Sequence, residues 1–399
     1  MADIIIRPLT ADDSQADHLD LSIRAFGPHD EAILRAIANP AIALGRALGA
    51  FDGDRMVGAA LFVDLLQWWA GRALPMAGVS GVTVAPEYRG RGVGRGVMTA
   101  LTSLMAERGY PLSVLYPATM HIYRQLGWEL AGARYEAKIP ARSLLGLPRP
   151  AGPMPDIRRP GPDDAAEVLA VIGAAHRRAG DCGPVTWGEQ TMRRRLTAPG
   201  KYADSDKYAL LAPDGFAGYR WRGNDEIYVD RVLAMSPETT LALWSIIASH
   251  SSVAGTVVAQ VTPHDPLWWL LAEQDAEMSG RDPWMLRLLD APAAIAARGF
   301  RAVDIEVPLD ITDEQVPRNH GRWTLTVRSS GEARLVRTDA GAFASASVLA
   351  LGARGLAALY AGTPVSTLRR AGLAAGGTPE ADAALDSAFA AAPFMLDGF

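Results

Sequence analysis

The chain has 399 residues, 49% of them apolar and 21% charged, with a formal net charge of −5. That balance supplies two or three buried cores, excludes a disordered chain and argues against a general nucleic-acid binder. A single cysteine, Cys182, excludes an intramolecular disulfide, and the seven histidines show no ligand pairing, so no metal site is expected.

No apolar run approaches the ~20 residues of a membrane span. Residues 1–9 lack the charged-then-apolar form of a secretory signal, so a cytoplasmic protein without a membrane partner is expected. Ile4, Ile5 and Ile6 open a short strand that Arg7-Pro8 closes, and Thr10 with Asp12 and Asp13 marks a helix start. After the turn Asp52-Gly53-Asp54, residues 56–66 alternate as a strand. Val79, Val82, Thr83 and Val84 are β-branched, the mark of a buried strand, and Pro86 stops it. In the loop that follows, Gly90, Gly92 and Gly94 are interleaved with Arg89 and Arg91. Val97, Leu101, Leu104 and Met105 then recur at helical spacing over residues 93–108, and Gly109 with Pro111 ends that helix. Residues 112–116 read as a strand and residues 119–125 as a short helix ending at Leu126-Gly127-Trp128. A strand resumes at Leu130.

Glycines let the loop backbone approach a ligand, and guanidinium groups stand beside it. Free N–H groups at the start of the helix aim at the same place. Strand, Arg/Gly turn and helix together make a pyrophosphate site, whereas such a turn alone is a common surface feature.

The opening phrase returns at Asp156-Ile157-Arg158-Arg159-Pro160, followed by Asp163-Asp164 and a helix over residues 165–175. Two copies of one domain are expected, parted by the Pro/Gly-rich residues 147–153. The second copy has no Arg/Gly loop between strand and helix, so it reads as a cofactor-free structural partner. Trp68-Trp69 and Trp268-Trp269 sit near loop edges, as core or subunit contacts in one reading and as substrate-stacking surfaces in another. A third unit begins near Asp290-Ala291-Pro292, with alternating strands over residues 303–309 and 322–327 and alanine-rich helices over 344–360 and 380–391. Phe394, Met395 and Leu396 are expected to pack inside and to carry the carboxylate of Phe399 with them. The chain thus divides into residues 1–147, 156–290 and 291–399, in an α+β arrangement.

Arg89-x-x-Gly92-x-Gly94 after a strand resembles the acyl-coenzyme A loop of the GCN5-related N-acetyltransferases (GNAT). Over its whole length the chain resembles the enhanced-intracellular-survival (Eis) family of these enzymes. The matching phrases begin with Val82-Thr83-Val84-Ala85-Pro86-x-x-Arg89-x-Arg91-Gly92, Gly109-Tyr110-Pro111 and Ile122-Tyr123-x-x-x-Gly127-Trp128. They continue with Thr262-Pro263-His264-Asp265-Pro266-Leu267, Asp290-Ala291-Pro292-Ala293-Ala294-Ile295-Ala296-Ala297-Arg298-Gly299, Leu385-Asp386-x-Ala388-Phe389 and the terminal Phe399. The resemblance implies two tandem GNAT mixed-sheet regions, a C-terminal sterol-carrier-protein-like region and a homohexamer. It implies an acetyl-CoA-dependent N-acetyltransferase acting on primary amines of cationic small molecules, polyamines or aminoglycosides, and hence antibiotic resistance. Arg89, Gly90, Arg91, Gly92, Val93 and Gly94 would hold the pyrophosphate, with Val82, Thr83 and Val84 along the pantetheine and thioester. Tyr123 matches the tyrosine that protonates the departing thiolate, and the carboxylate of Phe399 matches the general base. Two departures stand out. The family commonly carries Tyr-Gly-Arg-Phe-Gly-Tyr-Gly where this chain has Tyr123-Arg124-Gln125-Leu126-Gly127-Trp128-Glu129, and its penultimate acid is here Gly398, with Asp397 one step earlier.

An α-carboxyl with pKa about 3.5 taking a proton from an ammonium near about 8 faces roughly 6 kcal/mol, which only desolvation narrows. His29, His121 and Glu129 are the alternative bases. Two other functions fit the same residues: acyl transfer to lysine side chains of proteins, and lipid or sterol carriage by the last region.

Overall fold

The computed structural model describes residues 4–13, 15–27, 31–149, 152–197, 208–339 and 347–399. Its larger sheet has 12 strands, whose order in space differs from their order in the chain. One half runs Ile5–Pro8, Ala47–Asp52, Arg55–Trp69, Arg72–Val84, Leu112–Leu115. The other, from its far edge inward, runs Tyr208–Ala212, Gly215–Arg222, Glu226–Ala234, Thr256–Val261. Each half holds a parallel pair, Arg72–Val84 with Leu112–Leu115 and Glu226–Ala234 with Thr256–Val261.

The long strands that follow each pair cross over. Glu277–Leu288 lies against Leu112–Leu115, Glu129–Pro140 lies against Thr256–Val261, and the two also pair with each other. Each half closes on a strand supplied by the other, so neither leaves an open edge at the join.

The repeated phrase has a physical counterpart. Arg7 donates to both oxygens of Asp13, at 2.6 and 2.9 Å, and Asp13 accepts the Thr10 N–H at 2.7 Å. In the second copy Arg158 pairs with Asp164 at 3.0 Å, and Asp164 accepts the Gly161 N–H at 2.6 Å. The same pair turns the chain into the helices Gln15–Phe26 and Ala165–Ala179. The strand expected near Ile157 is reduced to a single bridge between Arg158 and Leu211.

In the last region, Val307, Leu309 and Ile311 of Ile305–Thr312 and Trp323, Leu325 and Val327 of Gly321–Val327 face the core in alternation. Residues 349–352, expected to be helical, form the strand Leu349–Gly352, parallel to Ile305–Thr312. Burial of Leu349 and Leu351 in that ladder outweighs the helix preference of the alanines around them. The helix begins at Ala353, and residues 344–346 lie outside the described residues. Trp68 and Trp69 are core residues, Trp69 meeting Trp284 and Tyr360 edge-on, whereas Trp269 is 71% exposed.

Arg298 joins the last region to the first. Its guanidinium is fully buried and donates to the carbonyls of Tyr360 and Phe389, the final residues of the helices Ala353–Tyr360 and Pro379–Phe389. The negative ends of two helices serve as its counter-charge, and the rings of Trp69, Phe300, Tyr360 and Phe389 surround it. The final stretch, residues 390–399, leaves from this fixed point. No described helix is long and apolar enough to cross a membrane.

Candidate active site

The strand Arg72–Val84 gives way to the turn Pro86–Tyr88 and then to the Arg/Gly loop. Glu87 is drawn off that loop by Arg24 and Arg55, each at 2.5 Å. Arg89 and Arg91 are exposed, with no carboxylate partner among the described residues, and Arg91 lies over the Tyr88 ring. Gly92, at φ 83°, is the N-cap of the helix Val93–Glu107, which has no side-chain cap and no acid in its first turn. Its first N–H groups are therefore open to an anion, beside two unpaired guanidiniums, and this arrangement fits a diphosphate. Val93 is buried and the buried Thr83 turns its hydroxyl toward the Ala59 carbonyl, so neither offers a side chain to a ligand. Gly94 lies against Ile122 and Val84, where a Cβ would come within 3.3 Å of each. That contact brings the loop beside the helix Met120–Gln125.

Pairing between Arg72–Val84 and Leu112–Leu115 covers only Met76, Ala77 and Gly78. From Val79 onward the two strands part. On the opposite edge the register jumps from Ala59↔Thr83 to Leu61↔Ser80, a bulge that turns the strand further aside. The gap runs along the half-buried Val82 and Val84, whose backbone groups on that edge have no strand partner among the described residues and suit the amides and thioester of a pantetheine arm.

Tyr123 follows on the helix Met120–Gln125. Its carbonyl accepts from both Leu126 and Trp128, and the Gly127 N–H bonds to Arg124, a Schellman ending with Gly127 at φ 83°. A Cβ on Gly127 would also stand 2.9 Å from the Arg287 guanidinium. Arg287, on the crossing strand Glu277–Leu288, is fully buried, pairs with both oxygens of Asp313 at 2.8 and 2.6 Å and donates to the Leu126 carbonyl. Three parts of the chain thus fix the backbone of Tyr123. Its side chain is 6% exposed, its hydroxyl is bonded to no described residue, and burial pushes its pKa up to about 12.

The tail is held as firmly. Phe394, Met395 and Leu396 are buried, the Phe394 N–H bonds to the Cys182 carbonyl, and the Met395 N–H bonds to Ala133. Asp397 is buried too. One of its oxygens accepts from Arg231 at 2.7 Å, Trp187 at 2.9 Å and Arg195 at 3.0 Å, and its carbonyl accepts from the Tyr116 hydroxyl at 2.6 Å. Burial works against this charge, yet Arg231 and Arg195 outweigh it and hold the carboxyl well below the usual carboxylate range. Two residues on, the half-buried Phe399 packs edge-on against Tyr116 and lies on Gly78, where the strands part.

Of the alternative bases, Glu129 is clamped between Arg124 at 2.9 Å and Arg354 at 2.5 Å. Burial opposes its charge, but the Leu130 N–H and the two arginines hold its pKa below the ordinary value. His121 is exposed and bonds to Gln125, and His29 lies outside the described residues. Sequence reasoning missed the clamp on Asp397 and the Arg287–Asp313 pair. The one signal available was an acid standing inside an apolar tail.

Models of the acetyltransferase (GNAT) domain match residues 5–131 and 183–288, and a sterol carrier protein domain matches residues 291–396. The crystal structure of a GCN5-related N-acetyltransferase from Kribbella flavida superposes with a TM-score of 0.91 at 42% identity, covering 100% of this chain and 98% of that one. An uncharacterized N-acetyltransferase of Streptomyces griseus is 30% identical over 348 residues, 80% of each chain. N-acetyltransferase Eis of Mycobacterium tuberculosis is 29% identical over 307 residues, 74% of each. The chain belongs to the GCN5-related N-acetyltransferases and is homologous to N-acetyltransferase Eis.

Proposed function

We propose that the protein transfers the acetyl group of acetyl-CoA to a primary amine, between Tyr123 and the carboxylate of Phe399. The observation that carries this reading is the resting place of the chain's last residue, against Gly78 at the mouth of the gap. Bound there, acetyl-CoA supplies the acyl carbon and a thiolate leaving group. Backbone N–H groups of residues 82–84 polarise the carbonyl as its oxygen gains charge. The Phe399 carboxylate takes a proton from the incoming ammonium, and the tail buried around it narrows the gap between the two pKa values.

Tyr123, with its pKa near 12, keeps its proton at any working pH. Complete transfer to a thiolate of pKa about 8.5 is uphill by about 5 kcal/mol, so its contribution is a hydrogen bond that strengthens as the sulfur becomes charged.

Aminoglycosides or polyamines are the acceptors proposed from the family likeness, with lysine side chains of proteins as the alternative. The family likeness also supports a cytoplasmic homohexamer, which sedimentation would test. Release of free thiol from acetyl-CoA across a panel of aminoglycosides, polyamines and lysine peptides tests the reading. Turnover with a primary amine supports it. Absence of turnover with every amine, in protein that still binds acetyl-CoA, refutes it.

A further inference from the structure

Beside the tail, in the second half of the sheet, lies a cavity of about 270 Å³, just below the ~300–1,000 Å³ of small-molecule sites. Five arginines line it: Arg134, Arg195, Arg220, Arg222 and Arg231. The carboxylates in the lining are Glu136, Asp230 and Asp397. Asp397 is shared by Arg195 and Arg231, Asp230 takes Arg220 at 2.6 Å, and Glu136 accepts from the Tyr228 hydroxyl at 2.6 Å. Arg134 reaches Asp282 at 3.0 Å, and Arg222 lies over the Tyr228 ring, 3.7 Å from Glu226. Nε of Arg134 and of Arg195 are buried and unpartnered, and Gln260 Oε1 is an acceptor in the same condition. Gly398 also lines the cavity, so it opens one residue, about 3.8 Å of backbone, from the terminal carboxylate.

We infer that the acceptor carries, besides its amine, an oxyanion, a carboxylate or a phosphate, which these arginines hold while the amine reaches Phe399. This rests on the acetyl-transfer reading above and departs from the polycationic acceptors that the family likeness suggests. Planar guanidiniums with spare N–H groups bind oxyanions through paired, charge-assisted bonds. A polycation placed here would meet five arginines against three carboxylates, one of which, Asp397, is already shared by two of them. The spare Oε1 of Gln260 can take an N–H of the same acceptor or a water.

The test compares four primary amines of equal length, one ending in a carboxylate, one in a phosphate, one in a methyl group and one in a second amine. Thiol release is measured for the wild-type protein and for Arg220→Gln and Arg222→Gln. The expected kcat/KM for one or both acids exceeds that of the plain amine by about tenfold or more, and the diamine is poorest. In the variants the acids fall to the level of the plain amine, whose own rate is unchanged. Which acid leads tells carboxylate from phosphate. A diamine equal to the acids, or a preference that survives both substitutions, overturns the inference. Calorimetry with the N-acetylated acids gives a readout independent of turnover. Binding that weakens in Arg222→Gln supports the site, and no binding to the wild-type protein overturns it. Binding of these products without turnover of any amine would instead defeat the acetyl-transfer reading alone.

Discussion

The ring of Phe399 lies so close over Gly78 that a Cβ at Gly78 would stand 2.8 Å from its Cδ2 and Cε2 atoms. No side chain other than hydrogen fits beneath the ring as it lies. Gly78→Ala is expected to push the chain end aside while the strand, still paired with Leu112–Leu115, stays in place. Turnover should fall by about 100-fold, because an ångström of misplacement is that costly. The melting temperature should move by less than about 4 °C. Parallel kinetics and thermal unfolding check this.

Asp397→Asn leaves Arg195 and Arg231 buried around a neutral amide, at a cost of about 3–5 kcal/mol. The sign of the pH effect follows from the depressed pKa of Asp397. Its stabilisation is fully present above the unfolded pKa of about 3.9 and is lost as pH falls toward the lower folded value. Between pH about 5 and 3 the wild-type melting temperature should fall more steeply than that of the variant. Equal slopes would mean that the clamp is not charged.

Tyr123→Phe removes only a hydroxyl that bonds to no described residue, so the fold should be unchanged. The expected loss in kcat is about 100-fold to 1,000-fold, the value of one hydrogen bond to developing charge, with acetyl-CoA affinity retained. Because burial raises the phenol to about 12, no decline in wild-type activity between pH 8 and 10 should be assignable to this group. A pH–rate profile of both proteins, set beside calorimetric cofactor binding, measures both points.

Arg89→Ala and Arg91→Ala should each weaken acetyl-CoA binding by about 10-fold to 100-fold, the value of a charge-assisted bond to phosphate. The loss should shrink as salt is raised, since both side chains are exposed. Dephosphorylated fragments that retain only pantetheine should show no difference between variants and wild type.

What the sequence disclosed and what it hid divide by range. The Arg/Gly loop and its helix were legible because Pro86, Gly92 and Gly109 punctuate them within a few residues. The paired acids after Arg7 and Arg158 marked the repeat for the same reason. The exchange of Glu129–Pro140 and Glu277–Leu288 between the two halves was not legible, since nothing in an alternating strand names its neighbour. Nor was the fate of Glu129, a plausible base by residue type, whose partner Arg354 comes from another region of the chain. In the sequence Asp397 is only an acid one step before the family's penultimate position. Arg195 and Arg231, distant in sequence, make it an anchor.

The proposed reaction depends on the free carboxylate of Phe399. Joining one further residue to the chain after Phe399 converts that carboxylate to an amide and displaces the charge, while Asp397 still holds the tail. Thiol release from acetyl-CoA with the best primary amine should drop to background in this extended protein, and its thermal stabilisation by acetyl-CoA should match the wild type. Full turnover in the extended protein would contradict the account.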